Sequence, residues 1–334
     1  MKAEDLYICG HTVSAGSRTV VTLPIPQLYT RTPMEMPVHI IRGRTEGPRI
    51  FVCAAMHGDE LNGIEIIRRL LKRRALKRLS RGTLIAVPMV NVYGVIERSR
   101  YLPDRRDLNR CFPGSQQGSL ASRVANAFMT EIVANSTHGI DLHTGAIHRD
   151  NMPQVRADLD DETTLNMARA FGVPVLLNSR FRDGSLRAAA QNHGVPILVY
   201  EAGEALRFDE HGIRAGVRGI ENIMRHLGML PPGRGTRIPN EPFVARSSHW
   251  IRASHSGVLR IKVRSGHGVT KGDALGLITD PFGGEESTVL ADTDGIVIGH
   301  THLPLVNEGD AVVHLACFED VDEVIGQVEQ FQTY

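Results

Sequence analysis

The 334-residue chain is short of several features, and each shortage removes a class of answer. Its four cysteines, Cys9, Cys53, Cys111 and Cys317, are scattered, with no paired motif and far from the density of a disulfide scaffold. A reducing compartment follows, so the expectation is a cytoplasmic protein. No stretch approaches the roughly 18 consecutive apolar residues that span a bilayer. The opening MKAEDLYICG also lacks the basic segment and apolar run of a secretory signal. Net charge is scarce as well: 38 basic and 37 acidic side chains sum to +1, so no global field draws the chain to nucleic acid or anionic lipid. A small molecule is the expected partner. No Gly-x-Ser-x-Gly occurs, and Cys111 has no evident His partner, which disfavours serine and cysteine nucleophile schemes.

What is present is enough apolar material, 42% of residues, for at least one sizeable core. Between about residues 50 and 230, short β-branched runs alternate with amphipathic segments. The runs Ile50–Ala55, Leu84–Val90, Ile140–His143, Val173–Leu177 and Val195–Tyr200 show little internal alternation, as buried parallel strands do. Ile64–Leu76, Leu120–Ala134, Asp161–Phe171 and Ile213–Leu227 have helical spacing. An α/β domain with helices on both sheet faces is expected over residues 1–235. Its first 45 residues, with strand-like pieces such as Thr19–Leu23 and Val38–Arg42, should extend one sheet edge. The basic stretch Arg68 to Arg81 reads as a surface helix with a solvated face rather than a polyanion site.

Composition changes at Leu230-Pro-Pro-Gly-Arg-Gly, where turn formers cannot continue the preceding helix. Residues 236–334 are expected to form a C-terminal all-β barrel or sandwich, with alternating, glycine-punctuated segments from Trp250 to Phe318. A weak repeat, Ser256-Gly257-Val258-Leu259 echoed by Asp294-Gly295-Ile296-Val297, resembles a biotinyl/lipoyl-type half-barrel. No Met-Lys pair sits at a hairpin tip, which argues against a carried prosthetic group.

Chemistry concentrates at three strand ends, where α/β proteins place their sites. The run Ile50–Ala55 leads into Met56-His57-Gly58-Asp59-Glu60, and a helical pattern begins directly after it. His57 and Glu60, three apart at a strand-to-helix turn, can converge to offer zinc one nitrogen and one carboxylate oxygen. The competing reading is a capping Asp59 or Glu60 beside an incidental histidine. A second strand delivers His143 in Gly139-Ile140-Asp141-Leu142-His143-Thr144-Gly145, completing a three-ligand set with an open fourth position. Asp141, on the same strand face, either orients His143 or is a satisfied polar residue at a strand end. A third strand runs into Glu201-Ala202-Gly203-Glu204, and Glu201 is preferred over Glu204 as general base because of its position at the strand end. Between the ligand strands lies an arginine-dense loop, residues 100–114, which points to an anionic substrate. Arg100, Asn109 and Arg110 are the functional choices there, while Arg105 and Arg106 read as surface ion pairs.

His57-Gly58-Asp59-Glu60, Asp107-Leu108-Asn109-Arg110, Asp141-Leu142-His143-Thr144-Gly145 and Glu201-Ala202-Gly203 together resemble the succinylglutamate desuccinylase/aspartoacylase family, which is related to zinc carboxypeptidases. The likeness covers roughly residues 35–230, with four motifs in order. It implies a zinc carboxypeptidase-like mixed sheet and one zinc per chain held by His57, Glu60 and His143. It further implies Glu201 as base, Asn109 and Arg110 gripping a substrate carboxylate, and Arg100, in Arg100-Tyr101, polarising the scissile carbonyl. The C-terminal half-barrel fits a bacterial subgroup that includes a deacetylase of N-acetyl-diaminobutyrate. The expected activity is hydrolysis of a small anionic N-acyl amino acid, with a homo-oligomer left open. The alternatives are a metallocarboxypeptidase acting on peptides and a nonenzymatic binding or scaffold protein.

Overall fold

A computed structural model of the chain describes residues 2–232, 241–245 and 247–332. The expected boundary at residue 235 lies outside these residues. The chain opens with a short hairpin, β1 (Leu6–Ile8) and β2 (His11–Val13), then β3 (Arg18–Ile25) and β4 (Met34–Arg42). Alternation of strand and helix follows: β5 (Thr45–Ala54), α1 (Asn62–Leu71), β6 (Arg81–Val87), α2 (Val92–Glu97), α3 (Leu120–Phe128), β7 (His138–Gly145), β8 (Arg149–Ala157), α4 (Glu162–Phe171), β9 (Val175–Asn178), α5 (Leu186–Gln191), β10 (Ile197–Glu204) and α6 (Glu210–His226). The remainder is mostly strand: β11 (Phe243–Ala245), β12 (Ser247–Arg252), β13 (Gly257–Ile261), β14 (Gly268–Val269), β15 (Ala274–Thr279), β16 (Glu286–Leu290), β17 (Gly295–Thr301), β18 (Leu305–Val306) and β19 (Ala311–Cys317), closed by helix α7 (Val321–Gln332). Among the described residues no helix is long and apolar enough to cross a membrane.

Thirteen of the described strands share one mixed sheet, whose spine runs β12-β19-β17-β8-β10-β7-β5-β6-β4-β3. The central four, β10, β7, β5 and β6, are parallel. Strand β5 shows why such strands read as unbroken apolar runs. Phe51 and Cys53 pack into a core with Val124 and Phe128 of α3 and Leu186 of α5, while Ile50, Val52 and Ala54 enter a second core with Ile66 and Leu70 of α1 and Ile220 of α6. Both faces are dry, so alternation disappears from the sequence.

Several element ends differ from the sequence expectation for local reasons. Strand β6 stops at Val87 because Pro88 has no N–H for the ladder, and β10 starts at Ile197, after Pro196. The helix expected over Ile64–Leu76 ends at Leu71, and a separate 3-10 turn, Arg74–Arg78, buries Leu76. Its basic face is paired as well as solvated: Arg68 and Arg69 reach Glu65 at 2.5 and 2.7 Å, and Arg73 reaches the buried Glu221 at 2.6 Å. After α3 the chain continues as a π-helical turn, Met129–Val133.

The C-terminal strands divide between two sheets. Strands β13, β15, β16 and β18 form a four-stranded antiparallel sheet, with a core around Ile251, Leu275, Ile278 and Leu315. Strand β17 instead pairs with β8, aligning Gly299 with Asn151 and Thr301 with Arg149, so β17, β19 and β12 prolong the main sheet. Helix α7, absent from the all-β expectation, packs Val324 and Val328 against Ile296 and Ile298.

Candidate metal centre and its pocket

Strand β5 delivers its polar cargo through a constrained turn. Ala55 adopts a left-handed φ of 51°, and the Glu60 N–H donates to the His57 carbonyl at 3.1 Å, closing the turn before α1. A Cβ on Gly58 would collide with the backbone of Gly94 in α2, so only glycine lets the turn sit this close. Strand β7, beside β5 with Cys53 opposite Asp141, brings His143 alongside, and β10 aligns Glu201 with His143. Three adjacent strands therefore end on one spot.

There Nδ1 of His57 lies 2.7 Å from Glu60 Oε1, and Nδ1 of His143 lies 2.7 Å from Glu60 Oε2. All three side chains are buried, and their donor atoms lie within 4.8 Å of one another. The outward nitrogens are also held: His57 Nε2 faces Asp107 Oδ1 at 3.0 Å, and His143 Nε2 faces Asp141 Oδ2 at 2.8 Å. Carboxylates accepting from both Nε2 atoms leave the Nδ1 lone pairs facing inward, the tautomer a metal requires. Asp141 Oδ1 in turn accepts from the Cys53 thiol at 3.3 Å, and Asp107 Oδ2 accepts from Arg100 at 2.9 Å.

Burial is the largest influence on every group here, and it disfavours charge on each. Against it, Glu60 with Asp107 holds His57 above its ordinary value, and Asp141 with Glu60 raises His143 well above its own. The same contacts, from His57 and His143, hold Glu60 far below the usual carboxylate range. His57 and Arg100 do this for Asp107. A cation entering the site would replace those protons. Two imidazole nitrogens and a carboxylate, rigidly backed and open on one side, fit zinc with a fourth position free.

The open side is a cavity of about 270 Å³. It is lined by every residue singled out from the sequence: His57, Glu60, Arg100, Asn109, Arg110, Asp141, His143 and Glu201. Glu201 accepts from Asn151 Nδ2 at 2.6 Å and faces Arg156 at 3.4 Å. Asn109 Oδ1 accepts from the Leu186 N–H at 2.9 Å. Arg110 donates from Nη1 to the Asn109 carbonyl. Glu204 is engaged elsewhere, accepting from the His148 N–H at 3.1 Å and pairing with Arg207 at 3.1 Å. Arg106 pairs with Asp104 at 3.8 Å, outside the cavity. A roomier hollow of about 460 Å³, at the opposite ends of β7 and β10, shares Arg187 with this pocket but is lined by none of His57, Glu60 and His143.

Several pocket residues had no role in the sequence reading. Asp107, behind the pocket wall against His57 and Arg100, was legible only as part of its motif. Strand β8, which carries Arg149, Asn151 and Arg156, was missed because polar residues interrupt its pattern, Arg-Asp-Asn-Met-Pro-Gln-Val-Arg-Ala. Trp250, the chain's one tryptophan, was read only as the start of the C-terminal segment, yet it forms part of the pocket wall.

Residues 46–227, more than half of the chain, match the family described as Succinylglutamate desuccinylase/Aspartoacylase catalytic domain. The N-alpha-acetyl-L-2,4-diaminobutyric acid deacetylase of Halomonas elongata is 27% identical over 295 residues, 84% of this chain and 85% of that protein. The crystal structure of a succinylglutamate desuccinylase/aspartoacylase from Rhodobacter sphaeroides superposes with a TM-score of 0.79 at 25% identity, over 90% of this chain and 96% of that one. A product-bound ectoine utilization protein from Ruegeria pomeroyi shares the fold, with a TM-score of 0.81 at 21% identity over 91% and 97% of the two chains.

Proposed function

Because this chain belongs to the succinylglutamate desuccinylase/aspartoacylase family, we propose that it is a zinc-dependent amidohydrolase that cleaves the acyl group from a small N-acyl amino acid. The observation that carries this reading is the convergence of His57, Glu60, His143 and Glu201 on one cavity with Asn109 and Arg110 in its wall. One ion per chain would be held by His57, Glu60 and His143. When bound, zinc supplies Lewis-acid chemistry and lowers the pKa of water.

The remaining work falls to the chain's own side chains. Glu201, held between Asn151 and Arg156, takes a proton from the attacking water and hands it to the leaving amine nitrogen. Arg100, fixed by Asp107 beside the ligands, offers N–H donors to the carbonyl oxygen as it gains charge. The Asn109 amide and the Arg110 fork hold the substrate α-carboxylate. Asp141 and Asp107 keep the two imidazoles oriented. The division into a catalytic unit, 1–235, and a β unit, 236–334, belongs to the same proposal, with Trp250 as the second unit's contribution to the pocket. So does placement in the cytoplasm.

A cavity of about 270 Å³ suits an amino-acid derivative better than a peptide, which favours deacylation over carboxypeptidase action. Zinc-loaded protein assayed against a panel of N-acyl amino acids and N-blocked dipeptides tests this. Release of free amino acid from the first group, and not the second, is the expected result. The reverse pattern makes the protein a carboxypeptidase, and inactivity on both with zinc bound removes the hydrolase reading.

A further inference from the structure

The two imidazoles of the metal centre are backed unequally. Behind His57, Asp107 meets three partners: the imidazole Nε2 at 3.0 Å, the Asn109 N–H at 2.9 Å and the Arg100 guanidinium at 2.9 Å. Part of its charge is therefore spent on a cation. Behind His143, the buried Asp141 pairs with no arginine or lysine among the described residues. Its Oδ2 faces His143 Nε2 at 2.8 Å, and its Oδ1 accepts from the Cys53 thiol at 3.3 Å.

Strand pairing puts the thiol there. Cys53 of β5 lies directly opposite Asp141 of β7, so the two side chains leave the sheet on one face. Cys53 is wholly buried, in the core that includes Phe51 and Phe128. Cysteine suits such a place, because sulfur packs as a small hydrophobe and its S–H is a weak donor. Burial, with the Asp141 charge, pushes the thiol well above its ordinary value, so the proton stays on sulfur. A carboxylate free to turn about its own bonds would carry Oδ2 away from Nε2. Donation to Oδ1 opposes that turn, and a weak donor draws off little of the charge that keeps the His143 proton on Nε2 and its Nδ1 lone pair turned inward.

We infer that Cys53 is a positioning residue of the metal centre: its thiol holds the Asp141 carboxylate against His143, and the affinity of the site for zinc depends on that donor. The inference rests on the hydrolase reading above and adds to its metal centre a residue that touches neither the ion nor the substrate. It acts through Asp141 alone. Removing the donor would leave one oxygen of a buried carboxylate without a partner, and that carboxylate would turn or take up a proton, in either case loosening His143.

The test compares Cys53→Ala, which has no donor, with Cys53→Ser, which keeps one. Both side chains are smaller than cysteine, so the packing loss is shared, and the melting temperatures of the two metal-free variants should fall by similar amounts. Zinc affinity, measured by competition with a chelator, should separate them. Cys53→Ala should lose about ten-fold or more, the usual effect of removing an outer partner of a metal-binding histidine, and Cys53→Ser should recover most of that loss. The visible spectrum of the Co2+-loaded protein, which reports ligand geometry, should change in Cys53→Ala and stay close to wild type in Cys53→Ser. Should Cys53→Ala not fold, Cys53→Val and Cys53→Thr repeat the comparison with the space filled. Turnover of N-acyl amino acids is followed alongside. If the donor and donorless variants bind zinc equally well, or are weakened equally, the inference is wrong while a hydrolysing wild type keeps the hydrolase reading. If wild type binds zinc without hydrolysing anything, and the variants separate as expected, the hydrolase reading fails and the role of Cys53 stands. A wild type that binds neither zinc nor cobalt overturns both.

Discussion

The floor and the rim of the pocket are built in opposite ways. On the floor, His57, Glu60 and His143 come from the ends of adjoining strands, are buried, and have hydrogen-bonding partners on both sides of each imidazole. The rim is made of long side chains on a loop, on strand β8, on α5 and on β12, and Arg110, Arg187, Arg149 and Arg156 are held there by backbone carbonyls, a ring face or a single acid. Strand pairing sets the floor to within a hydrogen-bond length with no help from a ligand. The rim must be oriented residue by residue. A centre of invariant chemistry belongs on the first kind of support, and selectivity on the second.

The floor should therefore be the less forgiving region. His143→Ala should lower bound zinc from about one ion per chain to near none and abolish turnover, as measured by metal content after dialysis. A variant that kept its full complement would show that the floor is not the ligand set. Glu201→Gln stands between the two regions and should retain zinc while losing roughly 100- to 10,000-fold in kcat. Near-normal turnover, with the loss appearing in Glu204→Gln instead, would move the base to the last residue of β10. Asp107→Asn sharpens the contrast from the other side, because Asp107 lies on the rim loop but acts on the floor. Zinc affinity, measured by competition with a chelator, should fall about 10- to 100-fold. An unchanged affinity would leave Asp107 as the cap of the short helical turn Leu108–Arg110 and nothing more.

Effects on the rim should be smaller and selective. Arg110→Lys should weaken substrates with a free α-carboxylate by about ten-fold relative to their amidated counterparts, because an ammonium cannot reproduce the two-bond fork. Equal losses on both would place the carboxylate elsewhere. The mildest prediction concerns stability beneath the rim. Burial, aided by Arg156, His249 and Arg149, holds His314 down to about 3. The unfolded chain takes up that proton near the ordinary value of about 6.5 and the folded chain resists it. Stability gained from keeping the ring neutral is thus fully present above about 6.5 and is lost as pH falls toward 3. Between pH 7 and pH 5 the melting temperature of wild type should drop further than that of His314→Phe. Parallel slopes would mean that the ring accepts a proton in place.

Much of the floor was legible because a strand buried on both faces leaves an unbroken apolar run, and the first polar residues after it must stand at the strand's carboxyl end. Ile50–Ala55 followed by His57 and Glu60, and Ile140 to His143, follow this rule. The rim was less legible. Arg105 and Arg110 share one loop and one residue type, and only their surroundings place the second in the pocket. Strand β8 resisted reading because the polar Asn151, Gln154 and Arg156 interrupt its buried Met152, Val155 and Ala157. Its burial is supplied by β10 on one side and β17 and β9 on the other, and no periodicity within the segment reports it.

The sequence by itself determined the parallel strand core and picked out His57, Glu60, His143 and Glu201 as side chains that meet at its carboxyl end, since each depends on a local pattern of apolar run, turn and polar residue. Tertiary structure alone decided that Asp107 steadies His57 from 50 positions away and that the C-terminal strands prolong the main sheet through β17. It also decided that Trp250, stacked on His314, lies against Arg149 in the wall of the pocket. These contacts join segments with no shared periodicity. Their existence depends on loop closure and strand order, which local propensity does not encode.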